Sequence, residues 1–282
     1  MTSPKNILKA WNIKAKKSLG QNFLSDPNIA VKIVKLAKIR PHDTVIEVGA
    51  GLGALTIPLA EAAKHVIAVE KDRQLMNLLK TELRLNHVTN VTPLEQNILT
   101  LNFSRYVTRE HPKILVIGNL PYNISSQILI HLITHRDVID RAVLMFQKEL
   151  AARLTAAPGV KAYGRLTVML RYCAFINSLT SADSNLFFPR PRVDSEVIEL
   201  TFHDDYRLPP EDETFFYRVI RTAFGQRRKT LKNALAGRAL SITPSAAARA
   251  LKDAGIDPQR RAETLSVTEF IALSGALSDQ QD

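Results

Sequence analysis

TVIEVGAGLGALT, residues 44–56, decides the fold. Thr44 to Val48 reads as a strand and Leu52 to Ala63 as a helix. The glycines of Glu47-Val48-Gly49-Ala50-Gly51-Leu52-Gly53 therefore fall at a strand-to-helix turn, the context that gives such a loop meaning. Glycines there let the backbone approach a nucleotide closely. Counted with Ala54, the loop also fits the pattern Gly-x-Gly-x-x-Gly/Ala. Glu70, at the end of the next predicted strand, sits where the ribose hydroxyls of either a nicotinamide dinucleotide or S-adenosylmethionine would be accepted. Glycine spacing alone leaves those two cofactors open, and the Glu70 partner argues against a merely structural turn.

Outward from this stretch, His65 to Val69 reads as a strand and Asp72 to Leu85 as a helix. Val91 to Leu94, Lys113 to Gly118 and Arg141 to Phe146 continue the sheet. Upstream, Asp26-Pro27 opens an amphipathic helix marked by Ile29, Ile33, Val34 and Ala37. Alternating strands and helices predict an α/β protein built on a doubly wound parallel sheet. Ser178 to Ser181 and Glu196 to Phe202, joined by the Pro-rich loop Phe188-Pro189-Arg190-Pro191, predict a hairpin-like closing edge. The polar run from His203 to Pro210 marks a domain boundary. Beyond it the pattern is helical, with one apolar face from Phe215, Phe216, Val219, Ile220 and Phe224 and another from Leu231, Ala234, Leu235 and Ala239. Lys5, Lys9, Lys14, Lys16 and Lys17 all precede the first acid, Asp26, which predicts a basic arm, residues 1–25, ordered only by RNA.

With 282 residues, 45% of them hydrophobic, the chain is long enough for a full α/β core and a small appended unit. A net charge of +11 favours a polyanionic partner. The single Cys173, in an apolar stretch, excludes a disulfide framework and reads as an inert core thiol. No apolar run approaches membrane-spanning length and the Lys-rich start lacks a secretory signal's apolar segment, so a cytoplasmic protein without a membrane partner is expected. No metal site is expected. His131 and His135, four apart, lack the Glu of the metalloprotease motif and read as solvated helix residues.

Asn119-Leu120-Pro121-Tyr122 directly follows the predicted strand ending at Gly118, where a site should begin. An Asn, a carbonyl fixed by the following Pro and an aromatic ring are the parts needed to grip an exocyclic amine and stack on its base. This run, and the absence of a substrate domain of dehydrogenase size, favour S-adenosylmethionine. At this point the chain resembles the ribosomal RNA adenine N6,N6-dimethyltransferase family, in its bacterial small-subunit branch, over nearly its whole length. The matching stretches are Gln21-Asn22-Phe23-Leu24, the Glu47 to Gly53 loop, Gly118 to Ile124, Gln147-Lys148-Glu149, Lys161 to Leu166, Phe188 to Ser195 and Ala223 to Lys229.

The resemblance implies a Rossmann-like class I S-adenosylmethionine-dependent methyltransferase domain, residues 26–203, and a small α-helical C-terminal rRNA-binding domain, residues 204–282. It implies dimethylation of two adjacent adenosines near the 3′ end of 16S rRNA, within a 30S subunit or its precursor, by a monomer. Asn22, Leu24, Gly49, Gly51, Glu70 and Asn119 would hold the cofactor, with Asn97 standing where the family usually has an Asp for the adenine amino group. The Asn119 side-chain oxygen and the Leu120 carbonyl would accept the two N–H bonds of adenine N6, with Pro121 fixing that carbonyl. Tyr122 would stack on one face of a flipped base and Phe188 on the other. Arg227, Arg228, Lys229 and Lys232, expected on one helix, and the eight basic residues between Arg141 and Arg192 are candidate phosphate contacts. Two rivals stay open at this stage: a macrolide-resistance type methyltransferase acting on 23S rRNA, and a ribosome-assembly factor for which methylation is dispensable.

Overall fold

The computed structural model describes residues 3–278. Its elements are α1 (Pro4–Ala10), β1 (Phe23–Leu24), α2 (Pro27–Leu36), β2 (Thr44–Val48), α3 (Thr56–Ala62), β3 (His65–Glu70), α4 (Arg73–Leu85), β4 (Val91–Glu95), β5 (Ile114–Asn119), α5 (Ser125–Thr134) and β6 (Ile139–Gln147). They continue with α6 (Lys148–Thr155), α7 (Arg165–Cys173), β7 (Ala174–Ala182), β8 (Phe187–Phe188), β9 (Ser195–Phe202), α8 (Pro210–Ala223), α9 (Leu231–Leu235), α10 (Pro244–Asp253) and α11 (Val267–Ser278). Two compact units result: residues up to Ala151 with Ile176–Phe202, and Ala152–Phe175 with everything from His203 onward.

The first unit is a seven-stranded sheet in the order β4-β3-β2-β5-β6-β9-β7. β4, β3, β2, β5 and β6 pair in parallel, and β9 runs antiparallel to β6 with Arg141 opposite Thr201. Val45, Ile46, Val66, Ile67, Val116 and Ile117 are all buried, because helices cover both faces and the central strands have no solvent side. Pro93 is tolerated in β4 because that strand is an edge. α4 begins where the Asp72 carboxylate accepts from the Gln74 amide, and it buries Leu75, Met76, Leu78, Leu79 and Leu83. Chain order reverses at β2, which lies between β3 and β5, so a crevice opens at the carboxyl ends of β2 and β5.

The structure departs from several of these expectations. The basic arm does not wait for RNA: Ser3 and Pro4 start α1, and Ile7 and Leu8 bury against Phe23, Leu52, Leu75 and Leu78. α3 begins at Thr56 and not at Leu52, because Gly51 and Gly53 sit at φ 56° and 83°, outside helical space. The Pro-rich loop is more than a hairpin connection, since Phe187–Phe188 pairs antiparallel with Phe23–Leu24. β9 is also interior to the sheet, with only β7 at the edge. His131 and His135 are not merely solvated: both rings lie 5.3 Å from the buried Phe103 ring, and His131 Nε2 is 2.9 Å from the Leu101 carbonyl oxygen.

The second unit is helical around Tyr163, Tyr172, Phe216 and Phe270, with the Tyr163 hydroxyl donating to the Leu265 carbonyl. The boundary read at His203 coincides with one of the chain's crossings between units. Ala152–Phe175, expected inside the 26–203 domain, belongs instead to the helical unit, which supplies the packing partners of Tyr163 and Tyr172. Ala239 is exposed, since α9 ends at Leu235. Among the described residues no helix is long and apolar enough to cross a membrane.

Candidate functional site

The crevice in the first unit is a cavity of about 210 Å³. Asn22, Leu24, Gly49, Gly51, Glu70, Asn97, Asn119, Leu120 and Pro121 all form its wall, although they come from five separate stretches of sequence. The glycine loop is pinned by two amides, Gly49 and Ala50, that both donate to the Val69 carbonyl at 2.9 and 3.1 Å. Two glycines are required by close approach. A Cβ on Gly51 would meet the Phe23 ring at 3.3 Å in a left-handed backbone, and one on Gly118 would lie 2.5 Å from the Val48 carbonyl oxygen. Gly118 thus lets the ends of β2 and β5 converge at the crevice.

Glu70 ends β3 almost fully buried, and its two carboxylate oxygens accept from the Gly51 amide at 3.0 Å and the Asp72 amide at 2.8 Å. Burial pushes its pKa up, against the pull of those two hydrogen bonds. Each oxygen retains a lone pair, so the carboxylate can still accept from a pair of hydroxyls. Glu47, quoted with the loop but given no role by sequence, is deeper still. Burial raises its pKa to about 8, and Thr56 Oγ1 donates to it at 2.5 Å. Asp72, read from sequence only as a helix start, is 4% exposed; burial pushes its pKa up, yet hydrogen bonds from Lys16 and Gln21 hold it below the usual value.

At the far wall, the Asn119 carboxamide donates through Nδ2 to the Asn22 carbonyl at 2.8 Å, which fixes the amide plane and leaves Oδ1 as the acceptor end. Asn97 caps a short 3-10 turn by accepting the Leu99 amide at 3.2 Å. Tyr122 and Phe188 are not wall residues of this cavity. The Tyr122 hydroxyl is bonded to buried Ser195 at 2.7 Å, and half-buried Phe188 packs on the cluster of Ile7, Leu8 and Phe23. Ser195 lay in a quoted stretch, but only β9 shows which ring it meets.

The basic cluster belongs to the second unit, and it is not on a helix. Arg227, Arg228 and Lys229 occupy the turn between α8 and α9, and Lys232 alone sits within α9. Arg227 is tied down, its guanidinium donating to the Lys161 and Tyr163 carbonyls at 3.0 and 3.3 Å. Of the eight basic residues between Arg141 and Arg192, Arg141 pairs with Glu199 and Arg171 donates to the Thr155 carbonyl, so these two hold the fold.

A family model described as ribosomal RNA adenine dimethylase matches residues 12–279. The "Ribosomal RNA small subunit methyltransferase A" of Desulforapulum autotrophicum is 50% identical over 98% of this chain and 97% of its own length. The protein of the same name from Moorella thermoacetica is 45% identical over 96% and 95%. Among solved structures, a dimethyladenosine transferase from Plasmodium falciparum superposes with a TM-score of 0.76 at 28% identity, covering 89% of this chain and 95% of that one. The 23S rRNA methyltransferase ErmE superposes with a TM-score of 0.67 at 24% identity, over 91% and 99%, a likeness of fold.

Proposed function

The chain belongs to the ribosomal RNA adenine dimethylase family and is an rRNA adenine dimethyltransferase, and on that premise we propose its substrate, cofactor and site residues. The substrate is a pair of adjacent adenosines in the 3′-terminal hairpin loop of 16S rRNA, met in a 30S subunit or its precursor in the cytoplasm. The enzyme acts as a monomer, with S-adenosylmethionine as methyl donor and no metal.

The cavity suits that cofactor. Glu70 offers acceptors for ribose hydroxyls, Asn97 an amide for the adenine edge, and the Gly49–Gly51 backbone a surface without side chains against the methionine part. When bound, the sulfonium supplies an electrophilic methyl group. Everything else is positioning. Adenine N6 is a poor nucleophile because its lone pair is delocalised into the ring. Asn119 Oδ1 and the Leu120 carbonyl accept its two N–H bonds, which draws the nitrogen toward a tetrahedral shape and aims the lone pair. The bound sulfonium would supply the methyl to that lone pair, leaving as the neutral thioether, and the proton would leave afterwards from an amine that methylation has made acidic. Tyr122 and Phe188 stack on the flipped base, and Arg228, Lys229 and Lys232 meet phosphates.

The observation that carries this reading is the Asn119 carboxamide, whose nitrogen is committed to the Asn22 carbonyl at 2.8 Å so that its oxygen is the end available to an amine. Unmodified 30S particles incubated with the protein and cofactor labelled in the methyl group should take up label at the two 3′-terminal adenosines, read by primer extension. Label absent from the particles but taken up by protein-free 23S rRNA in a parallel reaction would replace this reading with the macrolide-resistance type, and no label on either despite tight particle binding would favour an assembly factor.

A further inference from the structure

The segment Ser18–Leu24 builds one wall of the cofactor cavity, yet it belongs to the N-terminal arm and not to the sheet. The Asn123 carboxamide holds its first residue through the Ser18 carbonyl at 3.0 Å, and a side chain outside the cavity seats the stretch that leads to Asn22. The buried Asp72 carboxylate receives Lys16 Nζ at 2.8 Å and Gln21 Nε2 at 3.0 Å through one oxygen, and caps α4 through the other. Gln21 closes the loop on itself, its Oε1 accepting the Lys16 amide at 2.7 Å. One residue beyond Gln21, the Asn22 carbonyl is the acceptor that fixes the Asn119 carboxamide, and β1 then pairs with β8. The same aspartate is bonded through its own amide to Glu70 at 2.8 Å.

A primary amide has two ends of nearly equal shape and opposite hydrogen-bonding character. Among the described residues the Asn22 carbonyl is the one hydrogen-bond partner of the Asn119 side chain, so without it the amide is free to turn and present its nitrogen to the incoming amine, donor against donor. The Asn22 carbonyl is held in place only if the arm is seated. We infer that Asp72 is a positioning residue for methyl transfer: by seating Lys16 and Gln21 it fixes the Asn22 carbonyl and, through it, the orientation of Asn119. This rests on the reading of Asn119 as the grip on the target amine. The cavity wall and the grip then form together, since one strap of chain supplies both.

The test uses the full chain with 30S particles, in single turnover at saturating cofactor. Asp72→Asn keeps the acceptor that caps α4 and removes the charge that holds Lys16, and Lys16→Met removes the other partner from a half-exposed position. Both should slow methyl transfer, Asp72→Asn by roughly 10- to 100-fold and Lys16→Met by less. Amide hydrogen exchange over Gln21–Leu24 should rise in both. In an Asn119→Ala background, Asp72→Asn should cause no further loss, which a purely structural residue would not show. Faster exchange with an unchanged saturated rate, or the same fold-loss in the Asn119→Ala background, would overturn the inference while leaving the grip intact. Wild-type turnover by Asn119→Ala alone would instead sink the grip reading and this inference with it.

Discussion

The phenolic oxygen of Tyr122 lies 2.7 Å from the hydroxyl of Ser195, a fully buried residue at the start of β9. Burial raises the Tyr122 pKa against the effect of that bond, so the phenol stays neutral and the contact is one between hydroxyls. Tyr122→Phe leaves a buried hydroxyl without its partner and should cost about 1 kcal/mol of stability, with turnover only mildly reduced. Tyr122→Ala removes the stacking ring and should cut turnover severely. Ser195→Ala should reproduce Tyr122→Phe, and the double change should add nothing. Melting curves and single-turnover rates read all four proteins, and near-normal rates for Tyr122→Ala would remove the ring from the chemistry.

Glu47 predicts how stability depends on pH. Its folded pKa is raised to about 8 from 4.5, with burial as the main cause. The folded state therefore keeps a proton that the unfolded chain gives up above pH 4.5. The contribution is fully present below that pH and is lost as pH rises to about 8, with a slope of at most about 1.4 kcal/mol per pH unit from this group. Glu47→Gln keeps the acceptor for Thr56 and cannot ionise. The cofactor-free variant should show a flatter stability profile between pH 5 and 8 and gain on wild type at the upper end. Urea unfolding at three pH values measures it, and parallel profiles would mean that Glu47 is ionised in the fold.

How far the sequence carried differs between residues whose role is local and residues whose role is an encounter. The strand-loop-helix at 44–56 and Asn119 to Tyr122 at the carboxyl end of β5 were readable, because glycine conformation and the end of an apolar run are local properties. Of the cavity-wall positions, Gly49, Gly51, Glu70 and Asn119 were readable from their place at strand ends, Asn22, Leu24 and Asn97 were named from the resemblance, and the fold brings them together. Asp72, Lys16 and Ser195 were missed as working residues. Asp72 meets Gln21 across 51 positions and Ser195 meets Tyr122 across 73, so no spacing rule reaches them. The arm was misread because its few apolar residues were too sparse to predict a core, whereas Ile7 and Leu8 join one that Leu52, Leu75 and Leu78 already form. The helical unit's claim on Ala152–Phe175 was hidden for the same reason: it depends on which side of the chain Tyr163 and Tyr172 find partners.

Asn97 tests the cofactor's adenine edge. Its side-chain oxygen already accepts the Leu99 amide at 3.2 Å, so a second acceptance from an adenine amino group must share that oxygen. Asn97→Asp would cap the same turn with one oxygen and offer the other, charged, to the amine. Cofactor should bind as well as to wild type or up to about 1 kcal/mol more tightly. Calorimetry decides it, and a clear loss of affinity would show that the Asn97 nitrogen, and not its oxygen, faces the ligand.

The proposed phosphate contacts of the second unit must be probed without Arg227. That guanidinium donates to the Lys161 and Tyr163 carbonyls and sits 4.0 Å from Glu263, so Arg227→Ala should lower the melting temperature by freeing the loop before α7. A triple substitution that included it would confuse unfolding with lost contacts. Arg228 and Lys229 are exposed on the same turn, where two positive ends can meet one run of phosphates. Neutralising both should weaken 30S binding and reduce the slope of log affinity against log salt by about 2, since roughly one counterion is released per phosphate met. Cofactor affinity should not change, because the cavity is built wholly from the first unit. Parallel salt lines for wild type and the double variant, with melting temperature preserved, would assign this turn to solvent. Phosphate contact would then fall to those basic residues between Arg141 and Arg192 that the fold does not already employ.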